Sequence, residues 1–76
     1  MITASQKDLK FWINNDYAID VTGISYAQAN ALLNSHCLYT VAVVPGFYGI
    51  SGALLQDEKG TLYAITSRRC VLFNLL

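Results

Sequence analysis

The chain has 76 residues, five basic and five acidic, with 54% hydrophobic and only 13% charged residues. That length predicts one domain, 1–76, whose core is small enough to need help from a disulfide, a metal or a partner. The composition excludes intrinsic disorder, and a net charge of zero excludes a general nucleic-acid binder, which needs a basic face for phosphates.

The first element is a helix in "SQKDLKFWINN". Ser5 stands as N-cap with Asp8 three residues on, and Leu9, Trp12 and Ile13 recur at helical spacing. Asn14, Asn15 and Asp16 mark its end. In "DYAIDVTG", Tyr17, Ile19 and Val21 alternate with Ala18, Asp20 and Thr22, which predicts a half-buried strand closed by Gly23. "SYAQANALLNS" predicts a second helix. Ser25 and Gln28 form its capping pair, and Tyr26, Ala29, Leu32 and Leu33 form its apolar stripe.

Three strand segments follow. "CLYTVAVV" is rich in β-branched and aromatic residues and ends in a Pro-Gly-Phe turn. "YGISGALLQ" is a strand that Gly49 and Gly52 loosen toward a bulge or bend. "DEKG" is a hairpin loop with Gly60 in the left-handed position, so Leu54–Gln56 should pair antiparallel with Thr61–Tyr63 in "TLYAIT". The tail "SRRCVLFNLL" fits a helix capped by Ser67, with Val71, Leu72, Leu75 and Leu76 as its stripe, or an edge strand; the helix is preferred. Alternate positions of the first long strand place Val41 and Val43 on one face and Leu38, Ala42 and Val44 on the other, so both faces of the sheet need cover.

No Asp, Glu, Lys or Arg occurs from Val21 to Gln56. Within that gap, Leu38–Leu55 has about the length of a minimal membrane span. Pro45-Gly46 interrupts it, and its nearest flanking charges are the acidic Asp20, Asp57 and Glu58, so two strands joined by a turn account for it better. The chain starts at Met1 without a basic and apolar leader, which leads us to expect a cytoplasmic protein with Cys37 and Cys70 as free thiols rather than a disulfide.

Candidate chemistry is sparse. Arg68 and Arg69 would sit in the first turn of a tail helix, where they add to its affinity for anions; the plainer alternatives are solvation of the tail or pairing with Asp57 and Glu58. His36-Cys37 places a base beside a thiol, but neighbours on a strand point to opposite faces and no third orienting group stands out. The soft ligands Cys37, Cys70 and His36 lack a zinc spacing, and the glycines of "GFYGISG" match neither phosphate-loop pattern, so no metal and no cofactor is implied. Phe47 and Tyr48 read as exposed aromatic contacts.

The expected fold is α+β: a small antiparallel sheet of three to four strands, two helices packed on one face, and a C-terminal apolar tail. The expected function is a small non-enzymatic protein-interaction module that binds another protein or protein complex and is free to form a homodimer. Arg68, Arg69, Phe47, Tyr48, Asp57, Glu58 and Lys59 are the candidate partner-binding residues. In size and character the whole chain resembles the small phage or mobile-element proteins that inhibit host defence systems, anti-CRISPR proteins among them; the resemblance implies an inhibitor without catalytic residues and carries over no motif. The alternatives are a small-ligand or anion-binding domain and a small cysteine-dependent enzyme or enzyme subunit.

Overall fold

A computed structural model describes residues 2–76. The chain runs β1 (Ile2–Thr3), α1 (Gln6–Asn14), β2 (Ile19–Asp20), α2 (Tyr26–Ser35), β3 (Tyr39–Gly46), β4 (Gly49–Gln56), β5 (Leu62–Ile65) and α3 (Leu72–Leu75). The class is α+β as expected, but the sheet is larger and mixed. Five strands lie in the order β1-β3-β4-β5-β2. β3, β4 and β5 form an antiparallel meander, and β1 and β2 each add a two-residue parallel edge. Four strands therefore point one way and β4 alone points back.

Both long helices start where local chemistry says they should. Ser5 Oγ accepts from the Asp8 amide at 3.2 Å while Asp8 returns a carboxylate to the Ser5 amide at 3.0 Å. Ser25 and Gln28 make the same reciprocal pair. These contacts satisfy amides that no intrahelical carbonyl can reach. α1 ends in a Schellman turn. The Tyr17 amide donates to Trp12 O and the Asp16 amide to Ile13 O, with Asp16 at φ 61°.

The helices do not share a face, contrary to the sequence reading. α1 lays Leu9, Trp12 and Ile13 on Ala42, Val44, Leu54 and Ala64. α2 and the tail cover the opposite face, where Ala29, Cys70 and Leu72 meet Ala53, Leu55, Tyr63 and Ile65. The reason is the alternation of β4 and β5: successive side chains leave opposite faces, and both sets are apolar. α1 crosses one face between the two sheet edges, and α2 returns the chain across the other to β3.

Two bulges refine the register. Thr40 pairs with Leu55 and Ala42 with Leu54, so Val41 is an extra residue and joins the α1 face with Ala42 and Val44. Its alternation with Val43 does not hold as the sequence suggests. On β4, Ser51 is extra between the Val44–Gly52 and Pro45–Ile50 pairs, near the bend expected of the glycines. Gly52 then faces α1. A Cβ there would lie 2.8 Å from Ile65 O and 3.0 Å from Leu9 Cδ1. Gln6 Nε2 completes this seat by donating to Ser51 O at 3.3 Å and Thr66 O at 3.1 Å.

Two further expectations change. The strand after α1 is only Ile19–Asp20; Ala18 and Val21 are buried, while Tyr17 and Ile19 are exposed. An edge strand held by two pairs leaves Tyr17 to pack on Phe11, ring centroids 6.4 Å apart, rather than on the core. The tail is helical, but only from Leu72, and Val71 rather than Ser67 is its N-cap. Ser67 instead accepts from the Arg69 amide in the preceding turn. Leu72 is buried while Leu75 and Leu76 stay exposed. Among the described residues no helix is long and apolar enough to cross a membrane.

Gly52→Ala is expected to destabilise the fold by about 1–3 kcal/mol, the usual range for forced overpacking. The listener on this contact is the backbone oxygen of Ile65, which cannot rotate away. Urea denaturation of the variant checks it.

Candidate functional site

The expected contact residues fall at two ends of the sheet. Phe47 and Tyr48 form the turn between β3 and β4, whose last pair is Gly46–Gly49. Neither aromatic has a positive φ; Gly49 at φ 124° closes the turn instead. Phe47 is 93% and Tyr48 79% exposed. Their rings meet edge to face at 5.0 Å, an arrangement that the aromatic quadrupole favours. Pro45, Gly46 and Ile50 beside them are also exposed, so the tip projects as an uncharged apolar finger.

Arg68 and Arg69 lie in the turn after β5, ahead of α3 rather than in its first turn. The Ser51–Gln6–Thr66 bridge ties the exit of β5 to the hairpin end of the sheet. Both arginines are exposed. They do not pair with Asp57 and Glu58, and the ion pairs among the described residues all belong to His36.

Asp57, Glu58 and Lys59 follow β4 at its other end, about 25 Å along an eight-residue strand from the tip. Asp57 is not a solvated loop residue. Its side chain is 1% exposed. Oδ1 accepts from the Lys59 amide at 2.8 Å and the Thr61 amide at 3.0 Å, and Oδ2 accepts from the Tyr63 hydroxyl at 2.8 Å. Gly60, at φ 89°, lets the loop turn tightly enough for these bonds, as its position in the sequence predicts.

His36 arrives from the C-cap of α2. Its Nδ1 lies 3.0 Å from Glu58 Oε1 and 3.6 Å from Asp57 Oδ2. Glu58 Oε2 accepts from the Cys37 amide at 3.3 Å. The carboxylate–imidazole clasp thus joins the α2–β3 connection to the β4–β5 loop. Sequence reasoning treats His36 and Glu58 separately because 22 positions divide them. Glu58 is also the orienting group that His36 lacks in the sequence, yet no hydrogen bond joins the imidazole to the Cys37 thiol among the described residues. Both thiols are free, Cys37 exposed and Cys70 buried; Cys70 Sγ donates to Val21 O at 3.2 Å.

The environment shifts three groups. Burial pushes the Asp57 carboxyl up, but the Tyr63 hydroxyl, the Lys59 and Thr61 amides and the His36 charge outweigh it and hold Asp57 below the usual range. Glu58 is held low first by its own backbone N–H and then by the His36 hydrogen bond. Desolvation first, then the bond to Asp57, raises Tyr63 to about 12.

Compared with protein-family models, with curated proteins and with solved structures, the chain matches none of them.

Because the folded pKa values of Asp57 and Glu58 lie below their unfolded ones, their contribution to stability is present above about pH 4 and is lost as pH falls through the folded values. Urea unfolding at a series of acidic pH values should show this fall, with a shallower slope in Asp57→Asn. Tyr63 works in the opposite sense. Its folded value of about 12 exceeds the unfolded value, so its contribution is present below about pH 10 and is lost as pH rises toward 12. Tyrosinate absorbance should show one late ionisation that Tyr63→Phe removes.

Proposed function

We propose that this chain is a non-enzymatic protein-interaction module that docks on another protein through the β3–β4 hairpin. The Phe47–Tyr48 pair carries the reading. Two aromatics in edge-to-face contact, 93% and 79% exposed, stand on a turn closed by Gly49 and beyond the core that the helices cover. Burying one large apolar side chain contributes roughly 1.5–3 kcal/mol, and aromatic anchors of this kind dominate many interfaces.

Arg68 and Arg69, exposed at the same end of the sheet, suit the polar rim of such a contact. Asp57 is buried and held by three hydrogen bonds within the chain, and Glu58 and Lys59 lie at the far end of β4. The contact set is therefore Phe47, Tyr48, Arg68 and Arg69. An inhibitor of a host defence system, the expectation raised by the chain's size and character, is one form of this reading.

The tagged chain, used as bait in a bacterial lysate, should retain a stoichiometric partner identified by mass spectrometry. Light scattering on the purified chain separates a second copy from a different protein. Phe47→Ala with Tyr48→Ala should leave the urea midpoint nearly unchanged, as exposed substitutions do, within about 0.5 kcal/mol. The same variant should bind the partner about tenfold more weakly or worse. Unchanged binding by that folded variant would refute the hairpin reading.

A further inference from the structure

We propose that His36, Asp57 and Glu58 form a binding site for a divalent transition-metal ion of the zinc class. The site lies at the opposite end of β4 from the hairpin and does not depend on the interaction reading. Among the described residues these three offer one donor atom each, all within 4.8 Å of one another.

The spacing suits a shared ion. Donors at about 2.0–2.2 Å from one metal stand about 3.0–3.5 Å apart in octahedral or tetrahedral geometry. The Nδ1–Oε1 separation is 3.0 Å and the Nδ1–Oδ2 separation 3.6 Å. Glu58 is the exposed member and closes the third edge by rotating its side chain, while its other oxygen keeps the Cys37 amide.

The hydrogen-bond inventory of Asp57 points to the same place. A carboxylate offers about four acceptor positions. Three are filled, by the Lys59 and Thr61 amides and the Tyr63 hydroxyl. The remaining one, on Oδ2, has only His36 Nδ1 before it, at a distance too long for a hydrogen bond. The buried carboxylate thus keeps acceptor capacity on the oxygen that His36 Nδ1 approaches to 3.6 Å. Among the described residues no lysine or arginine pairs with the two carboxylates, so a metal ion would take the place of the proton on His36 Nδ1 that now faces them.

The surroundings resemble the support that metal ligands require. The Tyr63 hydroxyl and two loop amides fix Asp57, and the C-cap of α2 fixes His36. One imidazole nitrogen with two carboxylate oxygens favours zinc and its first-row neighbours over calcium or magnesium, which take oxygen ligands. His36 and Glu58 are partly open to solvent, which leaves water to fill the other coordination positions.

The test uses the purified full chain, stripped with a chelator and titrated with Zn²⁺ by calorimetry. One ion per chain is expected. His36→Ala and Glu58→Gln should each weaken binding by about tenfold or more, and Cys37→Ser should leave it unchanged. Co²⁺ in place of Zn²⁺ should give visible ligand-field bands without the thiolate charge-transfer band. Circular dichroism in metal-free buffer establishes that each variant is folded. A dissociation constant weaker than about 1 mM, binding that survives both ligand variants, or binding lost in Cys37→Ser overturns the site.

Discussion

The meander of β3, β4 and β5 is apolar on both faces, and the rest of the fold answers that constraint. Leu54 and Ala64 leave one side of the sheet while Ala53, Leu55, Tyr63 and Ile65 leave the other. A sheet of this kind cannot leave either side in water without exposing apolar area, at roughly 25 cal/mol per Å². The helices are accordingly divided between the faces. The short edge strands follow from the same division, because α1 and α2 must carry the chain from edge to edge and back. Their two-residue length also limits the unpaired sheet edge left for aggregation.

α1 shows how closely this layering is fitted. Gly52 removes the one side chain that would hold the helix off the sheet, and Leu9 fills the space above it. Gln6 then binds carbonyls from two different strands, Ser51 and Thr66. A bulge at Ser51 turns its carbonyl out of the ladder, where it would otherwise need another partner. Packing, backbone irregularity and a polar side chain thus serve one contact, and the same contact sets the hairpin end of the sheet apart from the helical layers.

The two ends of β4 have different characters. At one end the chain projects aromatic residues without charge; at the other it gathers two carboxylates and an imidazole around a buried oxygen. The eight residues of β4 keep them apart, so contact at the tip and chemistry at the clasp need not compete. Asp57 stabilises its loop in the manner of an Asx turn, and Tyr63 links that loop to the core through a hydroxyl whose ring belongs to the α2 face.

The sequence by itself determined what depends on neighbours three or four residues apart. Both capping boxes, the stripe of Leu9, Trp12 and Ile13, and the Gly60 loop are all of this kind. So is the exposure of Phe47 and Tyr48, which a turn imposes on whatever residues form it. The apolar character of both sheet faces was also readable, though not which helix covers which. The tertiary structure decided the remainder because long-range contacts decided it. Pairing of Ile2–Thr3 with β3 and of Ile19–Asp20 with β5 depends on partners some forty positions away, and two-residue strands carry no periodicity to announce them. The Val41 bulge changed a face by inserting one residue, an event that alternation cannot encode. The burial of Asp57 and its meeting with His36 required α2 and the β4–β5 loop to end side by side, which only the packed sheet brings about.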